Sequence, residues 1–215
     1  MKVLIACEES QTICVEFRKL GVEAYSCDLK ECSGGHPEWH LKMDIFDAIK
    51  LDKYDLLIAH PPCTFLCISG NRWMNDSRYP NRWKDREEAI AFFLKIANID
   101  IPHIAIENPV GVMSKIYKKP SQIIQPWMFG DSYQKTTCLW LKNLPNLVPT
   151  NIVDKGEFHI TKSGRKIPEW YNNANRMKSK YGQEGVRTLR SKTFPGIAKA
   201  IATQWTEYLR KEDEQ

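Results

Sequence analysis

A cysteine placed directly after two prolines is the residue of this sequence best suited to covalent chemistry. Cys63 follows Pro61 and Pro62, and these prolines follow the short apolar run Leu56–Ala59. The run predicts a buried strand, and the prolines force a sharp turn at its carboxyl end. Because ligands of open α/β sheets bind at that end, Cys63 is a candidate nucleophile. The alternative is a buried structural cysteine beside a proline turn.

Polar residues follow three other predicted strands or turns. Asp28 ends the second predicted strand, and Asp44 begins a short turn or helix. The pair Glu107-Asn108 follows a later strand. A carboxylate after the second strand of a dinucleotide-binding fold binds ribose hydroxyls. The first turn, Cys7–Gln11, lacks a glycine-rich phosphate loop and carries acidic residues, so we expect a nucleoside cofactor without phosphates.

Alternating strand-like and helix-like segments must position these residues. Strands are predicted at Lys2–Ala6, Val22–Cys27, Tyr54–Ala59, His103–Ile106 and Thr137–Leu141. Helices are predicted after the candidate cap Ser10 and up to Gly21, over residues 84–98, over Val112–Tyr117, and after the candidate cap Thr193, with Pro195 in the first turn. This alternation predicts an α/β fold with a doubly wound, mostly parallel sheet. We expect a core over 1–148, a small basic lobe over 149–190, and a C-terminal helix over 191–215 that packs back on the core.

The order of these motifs resembles that of the DNA cytosine-5 methyltransferases, most closely their short, phage-type members, over most of the chain. In that family a Pro-Cys pair carries the nucleophile, and Pro62-Cys63 matches it. A Glu-Asn pair binds the target base, and Glu107-Asn108 matches it. Each motif alone is weak, and the two together are specific. The resemblance implies a Rossmann-like methyltransferase fold and S-adenosyl-L-methionine as the cofactor.

The resemblance also implies which residues hold the cofactor. Ile5–Gln11 matches the first strand and its turn, although the usual glycines are absent. Asp28 matches the acid that binds the ribose, and Asp44 the acid near the adenine. The predicted cofactor-binding set is Ala6, Cys7, Glu8, Ser10, Gln11, Asp28, Leu29, Asp44, Ile45, His60 and Pro61.

Methylation at carbon 5 of cytosine requires the residue types found here. Carbon 5 is too weak a nucleophile until a thiolate, from Cys63, adds to carbon 6. A carboxyl group of raised pKa can protonate ring nitrogen 3, and Glu107 is the candidate. Asn108 fixes the turn or contacts the base. The acceptor of the carbon 5 proton is left open between His60 and a bound water.

The target base must be flipped out of the duplex, so we expect DNA contacts around the site. Segment 64–83 is placed to close over the site and fill the gap. Residues 155–192 are rich in Lys and Arg with interleaved aromatic residues, as in nucleic-acid surfaces. The alternatives are an ordinary surface loop and a solvated basic loop. The predicted DNA-binding set is Ser69, Asn71, Arg72, Arg78, Arg82, Lys135, Arg176, Arg187 and Arg190.

Composition restricts the class of protein further. The chain has 215 residues, a formal net charge of +5 and seven cysteines. It has no apolar stretch long enough for a membrane span and no apparent export signal, so the cysteines should be reduced. We expect a cytoplasmic monomer, in a bacterium or phage-infected cell, whose partner is double-stranded DNA. The short lobe can read few base edges, which predicts low or short sequence specificity.

Three alternatives remain open from the sequence. Cys27, Cys32, His36 and His40 have spacing that could bind zinc, but we predict no metal. Enzymes that methylate exocyclic amino groups of cytosine or adenine use a Pro-Pro-aromatic turn at the same strand end, which Pro61-Pro62 half resembles. A non-catalytic DNA-binding protein of the same fold would also account for the missing glycines.

Overall fold

The computed structural model describes residues 1–176, 180, 182, 185–186 and 190–214. The strands are β1 (Lys2–Ala6), β2 (Glu23–Asp28), β3 (His40–Lys42), β4 (Leu56–Ala59), β5 (His103–Pro109), β6 (Gln122–Ile124), β7 (Thr137–Lys142), β8 (Phe158–Ile160) and β9 (Lys166–Pro168). The helices are α1 (Thr12–Lys19), α2 (Ile45–Leu51), α3 (Arg82–Ala97), α4 (Met113–Ile116), α5 (Glu169–Arg176) and α6 (Pro195–Asp213). Of the helices in the described part of the chain, none could span a membrane.

Seven strands form one sheet in the order β3-β2-β1-β4-β5-β7-β6. Strands β1 to β5 pair in parallel, whereas β7 is antiparallel to both of its neighbours. The first five positions follow the order of the dinucleotide-binding sheet. The predicted doubly wound, mostly parallel, Rossmann-like α/β sheet is therefore confirmed. The short strands β3 and β6 were not predicted.

Apolar side chains of the central strands alternate between two covered faces of the sheet. In β1, Val3 and Ile5 pack on the face of α1 and α6, whereas Leu4 and Ala6 pack on the face of α3. All four are 0 % exposed. Because helices cover both faces, the central strands are apolar throughout rather than alternating with polar residues.

Helix α1 begins differently from the prediction. Ser10 is not the cap, because Gln11 occupies that position with a φ of 56° and no capping side-chain bond. Instead, the Glu8 carboxylate accepts hydrogen bonds from the backbone N–H of Ile13 at 2.7 Å and of Cys14 at 3.3 Å. A carboxylate from the preceding turn thus satisfies the free N–H groups at the start of the helix.

The other predicted helix boundaries are mostly confirmed. Gly21 ends α1 with a φ of 71°, and its N–H donates to the Arg18 carbonyl at 3.0 Å. A residue without a side chain adopts this left-handed conformation at low cost. Helix α6 has Pro195 at its start as predicted, but its cap is Phe194 rather than Thr193.

Strand β5 continues through Glu107 and Asn108 instead of ending before them. The reason is the antiparallel neighbour β7, which places Leu139 opposite Glu107 and Cys138 opposite Asn108. The ladder between β5 and β7 therefore holds the two candidate residues in regular strand geometry. Their side chains consequently have better-defined directions than a loop would give them.

Residues 149–190 contain more regular structure than the polar sequence predicts. Strands β8 and β9 form a separate two-stranded antiparallel sheet, and α5 packs against it. The turn between the strands is closed by the Thr161 N–H, which donates to the Arg165 carbonyl at 2.9 Å. The division into core, lobe and C-terminal helix stays a prediction.

Candidate active site at the carboxyl edge of the sheet

The carboxyl ends of four parallel strands are level with one another. Ala6 of β1 lies opposite Cys27 of β2 and Ala59 of β4, and Ala59 lies opposite Ile106 of β5. The residues that follow these four positions therefore meet at one edge of the sheet. This edge is where ligands bind in open α/β sheets.

The turn that carries the candidate nucleophile is fixed from both sides. The His60 N–H donates to the Ala6 carbonyl at 3.0 Å, which sets the exit of the chain from β4. The Asn108 side-chain amide donates to the Pro61 carbonyl at 2.7 Å. Asn108 is 2 % exposed, and its side-chain oxygen has no hydrogen-bond partner among the described residues. Cys63 then stands exposed at the start of a single helical turn.

Glu107 is paired with His60 rather than isolated. The His60 Nδ1 and a carboxylate oxygen of Glu107 are 3.1 Å apart. Burial raises the pKa of Glu107, but the hydrogen bond and charge of His60, with the charge of Lys135, outweigh it. The pKa of Glu107 therefore lies below its ordinary value. The predicted raised pKa is wrong because the sequence could not show that His60 contacts this carboxylate.

The Cys63 thiol is protonated in the free protein at neutral pH. Desolvation by the surrounding protein, with nearby Cys67 and Glu107, raises the pKa of Cys63 to about 11, although Lys135 acts in the opposite direction. A thiolate, not a thiol, is the nucleophilic form of cysteine. Cys63 must therefore lose its proton when it reacts.

This protonation state predicts how Cys63 reacts with iodoacetamide. The alkylation rate of the free protein, followed by mass spectrometry of the Cys63 peptide, should keep rising as the pH increases towards about 11. Lys135→Met should move the profile to higher pH, because the lysine charge lowers the pKa of Cys63. Lys135→Arg is the matched control and should retain the wild-type profile. A wild-type rate that levels off near neutral pH would contradict this account.

Glu8 is a buried carboxyl group at the same edge of the sheet. It is 4 % exposed, and burial raises its pKa to about 7, opposed by His60 and by the two backbone N–H groups of α1. Its carboxylate fills the N-terminus of α1, where dinucleotide-binding folds hold a phosphate. Two N–H groups at this helix end are therefore already occupied, and the preference for a cofactor without phosphates stays a prediction.

The raised pKa of Glu8 predicts a pH-dependent stability. The folded protein retains this proton up to about pH 7, whereas the unfolded chain releases it near the ordinary pKa of 4.5. The free energy of unfolding therefore falls as the pH rises through this window, by ~3 kcal/mol from this group. The measurement is the free energy of unfolding in urea at pH 5 and at pH 8. In Glu8→Gln its fall between these two pH values should be absent. Glu9→Gln is the control, and an undiminished fall in Glu8→Gln would contradict the prediction.

The predicted adenosine-binding residues lie together at this edge. The Asp28 carboxylate is partly exposed and accepts a hydrogen bond from the Lys30 N–H at 2.9 Å. The neighbouring Leu29 is 69 % exposed and offers an apolar surface to a base. Asp44 caps α2 by accepting from the Phe46 N–H at 2.8 Å. These side chains fit a nucleoside, and their roles as ligands stay predictions.

Other predicted cofactor residues act as scaffold in this structure. The Gln11 side chain is 0 % exposed and bonds the backbone of His36 twice, at 2.8 and 3.0 Å. A side chain at Gly34 would collide with Gln11, so the loop approaches closely there. Three more of these residues are buried: Ala6, Ile45 and Pro61. The Ser10 hydroxyl bonds the Thr12 hydroxyl at 3.0 Å. Cys7 is half-buried and has a φ of 59°.

Two of the four side chains in the zinc alternative, His40 and Cys27, make other contacts. His40 contacts the Ser26 hydroxyl at 2.8 Å and the Lys30 carbonyl at 2.9 Å through its two ring nitrogens. The Cys27 thiol donates to the Met43 carbonyl at 3.2 Å. Among the residues that the structure describes, no three His, Cys, Asp or Glu side chains are gathered to hold a metal.

The segment after Cys63 presents several predicted DNA contacts. Ser69, Asn71, Arg72 and Arg78 are exposed, and Arg78 is paired with Asp76 at 2.7 Å. The exposed apolar residues Ile68 and Trp83 lie in or beside the segment. Arg82 is only 9 % exposed, and its role as a DNA contact stays a prediction.

The remaining predicted DNA contacts lie around the lobe. Lys135 donates to the carbonyls of Arg190 at 2.9 Å and Lys192 at 3.3 Å, and its charge also reaches Cys63 and Glu107. The Arg190 guanidinium lies over the Tyr171 ring at 4.3 Å. Arg176 is exposed at the end of α5. Arg187 lies outside the described residues.

Sequence reasoning missed Arg86. It lies one helical turn after Arg82 on the inner side of α3 and is 7 % exposed. Its guanidinium donates to the Phe65 carbonyl and to the Asn71 side chain, both at 2.7 Å. The sequence did offer a signal for this burial. Arg82 and Arg86 are four residues apart, and they lie on the same inward face of α3 as Phe93.

No protein-family profile and no curated protein matches the sequence. Among solved structures, a prophage-encoded Escherichia coli protein described as a DNA modification methyltransferase is 12% identical, with a TM-score of 0.46 over 72% of this chain. The Entamoeba histolytica methyltransferase EhMeth is 15% identical, with a TM-score of 0.48 over 76%. The S. pombe Dnmt2 methyltransferase is 15% identical, with a TM-score of 0.42 over 68%. The chain spans 52%, 62% and 51% of these three proteins, respectively.

Proposed function

We propose that the chain is an S-adenosyl-L-methionine-dependent DNA cytosine-5 methyltransferase. The observation that carries this proposal is the direct connection between the Cys63 turn and strand β5. Asn108 holds the Pro61 carbonyl at 2.7 Å, and His60 holds Glu107 at 3.1 Å. A thiol and a carboxylate are thereby fixed at one strand edge, as addition to a pyrimidine ring requires.

The covalent step follows from these two groups. The Cys63 sulfur forms a bond to carbon 6 of a flipped cytosine, and the electron pair of the carbon 5–carbon 6 double bond becomes available at carbon 5. S-adenosyl-L-methionine, when bound, supplies the methyl group that carbon 5 acquires. Loss of the carbon 5 proton to a base then restores the double bond and expels the Cys63 sulfur.

The protonation states give Glu107 a second role. Cys63 begins as a neutral thiol, and the pKa values of the two groups leave Glu107 ionised. We infer that Glu107 accepts the thiol proton and passes it to ring nitrogen 3 of the cytosine. The neutral thiol and the neutral cytosine then give a neutral adduct, so no net charge is created in the partly buried site. His60 positions the Glu107 carboxylate for both transfers. The proton returns from ring nitrogen 3 to the Cys63 sulfur when that sulfur leaves.

The nucleoside of the cofactor would lie against Asp28, Leu29 and Asp44. Glu8 would face the α-ammonium group of the cofactor's amino-acid end, since it places a carboxyl group where other folds offer helix N–H groups. The 149–190 lobe would contact the duplex. Its small size supports the proposed low or short sequence specificity.

The test is methyl transfer from labelled S-adenosyl-L-methionine to duplex DNA, followed by nucleoside analysis. The proposal predicts label in 5-methylcytosine. Label in N4-methylcytosine or N6-methyladenine would instead favour the amino-methylating alternative, which shares the doubled proline. DNA binding without any transfer would favour a non-catalytic protein of this fold.

A further inference from the structure

We propose that Arg82 and Arg86 form a recessed phosphate-binding site under the segment that follows Cys63. Its occupant would be a backbone phosphate of the DNA strand whose base lies at Cys63, so the inference rests on the proposed function. The argument rests on two buried guanidinium groups that have no counter-ion among the residues the structure describes.

Both arginines are almost fully enclosed by protein. Arg82 is 9 % exposed and Arg86 is 7 % exposed. The Arg82 guanidinium lies over the rings of Phe65 at 5.3 Å and Tyr79 at 5.7 Å. Removing a charge from water costs several kcal/mol unless a partner compensates it.

No carboxylate in the described part of the chain pairs with either arginine. Within the described ranges, Arg86 donates to two neutral oxygens, those of Phe65 and Asn71. The Nε of Arg82 is buried without an acceptor among the described residues. Burial and the neighbouring Arg82 hold the pKa of Arg86 below its ordinary value, so the two charges disfavour each other. An anion between them would remove both penalties.

The pair contacts the part of the chain that directly follows the candidate nucleophile. A side-chain carbon at Gly70 would be 3.0 Å from the Arg82 guanidinium and 3.9 Å from the Cys67 sulfur. The Cys67 N–H donates to the Cys63 carbonyl at 3.0 Å. Arg86 donates a hydrogen bond to the carbonyl of Phe65, which lies two residues after Cys63. A phosphate held here would be adjacent to the nucleotide at Cys63.

The chemistry of the site favours a phosphate of a nucleic-acid strand. Arginine presents planar sets of N–H donors that match phosphate oxygens. Phosphate contacts fix the position of a strand on a protein without reading its sequence. A flipped base requires its own backbone to be held in a fixed place. A phosphate held by Arg82 and Arg86 would provide this fixed place.

The first experiment uses inorganic phosphate and needs neither DNA nor cofactor. At constant ionic strength in chloride, added phosphate should raise the melting temperature of the wild type in a saturable manner. Arg82→Met should lose this response. In chloride alone it should melt at or above the wild-type temperature, because it removes an uncompensated buried charge. Arg210→Gln, at an exposed arginine of α6 that donates to the Leu20 carbonyl and belongs to no predicted site, is the matched control and should retain the phosphate response.

The second experiment tests whether the occupant belongs to DNA. The salt dependence of duplex binding should become shallower by about one unit of slope in Arg82→Met, as expected for one lost phosphate contact. An unchanged slope together with an intact phosphate response would show a site for free phosphate and would overturn the assigned occupant.

Three results would overturn the site itself. These are no phosphate response in the wild type, an equal response in Arg82→Met, or failure of Arg82→Met to fold, which would make the pair structural. If the wild type shows the phosphate response but transfers no methyl group in the labelled-cofactor assay, only the proposed function is contradicted. Active enzyme without a phosphate response would contradict only this inference.

Discussion

Cys63→Ser is expected to reduce transfer of labelled methyl groups to cytosine by about 10⁴-fold or more. A serine hydroxyl is a much weaker nucleophile than a thiolate, and the reaction requires a bond to carbon 6 before carbon 5 can react. Because Cys63 is exposed and the turn is held through Pro61 and Asn108, the substitution should not disturb the fold. The measurement is initial rate at saturating DNA and cofactor.

Cys32→Ser is the matched control, since Cys32 is a partly exposed thiol in a loop and is absent from the proposed chemistry. It should keep the wild-type rate. Transfer that survives in Cys63→Ser, with label on an exocyclic amino group, would contradict covalent catalysis and support the amino-methylating reading of Pro61-Pro62.

Glu107→Gln is expected to lower the rate of transfer by about 10²–10⁴-fold, the usual contribution of a positioned proton-transfer group. The amide can neither accept the Cys63 proton nor deliver it to ring nitrogen 3. It keeps the shape of the side chain, so binding of DNA should be largely retained. Rates at saturating substrate, with DNA affinity measured separately, distinguish these effects. A variant within tenfold of the wild-type rate would exclude Glu107 from proton transfer.

The pH profile of His60→Ala tests the pairing behind this prediction. His60 holds the pKa of Glu107 below its ordinary value, whereas burial acts to raise it. Without His60 the pKa of Glu107 should rise. The proposed mechanism needs Glu107 ionised, so activity falls as pH drops through that pKa. The fall should therefore begin at a higher pH in His60→Ala than in the wild type, whereas a purely structural role would leave its position unchanged.

The edge of the sheet could be predicted from the sequence because it depends on local patterns. Apolar runs bounded by prolines, glycines and acidic residues locate β1, β4 and β5, and parallel strands bring their ends together. That placed Cys63 beside Glu107 and Asn108 correctly. The sequence left open whether Asn108 fixes the turn. The hydrogen bond from its side chain to the Pro61 carbonyl shows that it does.

The electrostatics of the site depend on contacts between distant residues and could not be predicted. Glu107 is a paired carboxylate because His60, 47 positions away, donates to it. Glu8 caps α1 from a turn whose flanking residues Cys7 and Gln11 have φ of 59° and 56°, a conformation that no helix-capping pattern indicates. Arg82 lies against the rings of Phe65 and Tyr79, and Arg86 bonds Phe65 and Asn71, so both are buried, although charged residues are ordinarily assigned to the surface.

Covalent capture by DNA that contains 5-fluorocytosine tests the central claim most directly. Fluorine at carbon 5 blocks the elimination that releases Cys63, so the adduct accumulates. We predict a complex that resists denaturation, requires S-adenosyl-L-methionine, maps to the Cys63 peptide, and forms with Cys32→Ser but not with Cys63→Ser. Methyl transfer to cytosine in normal DNA without any such complex, or a complex that persists in Cys63→Ser, would contradict the account.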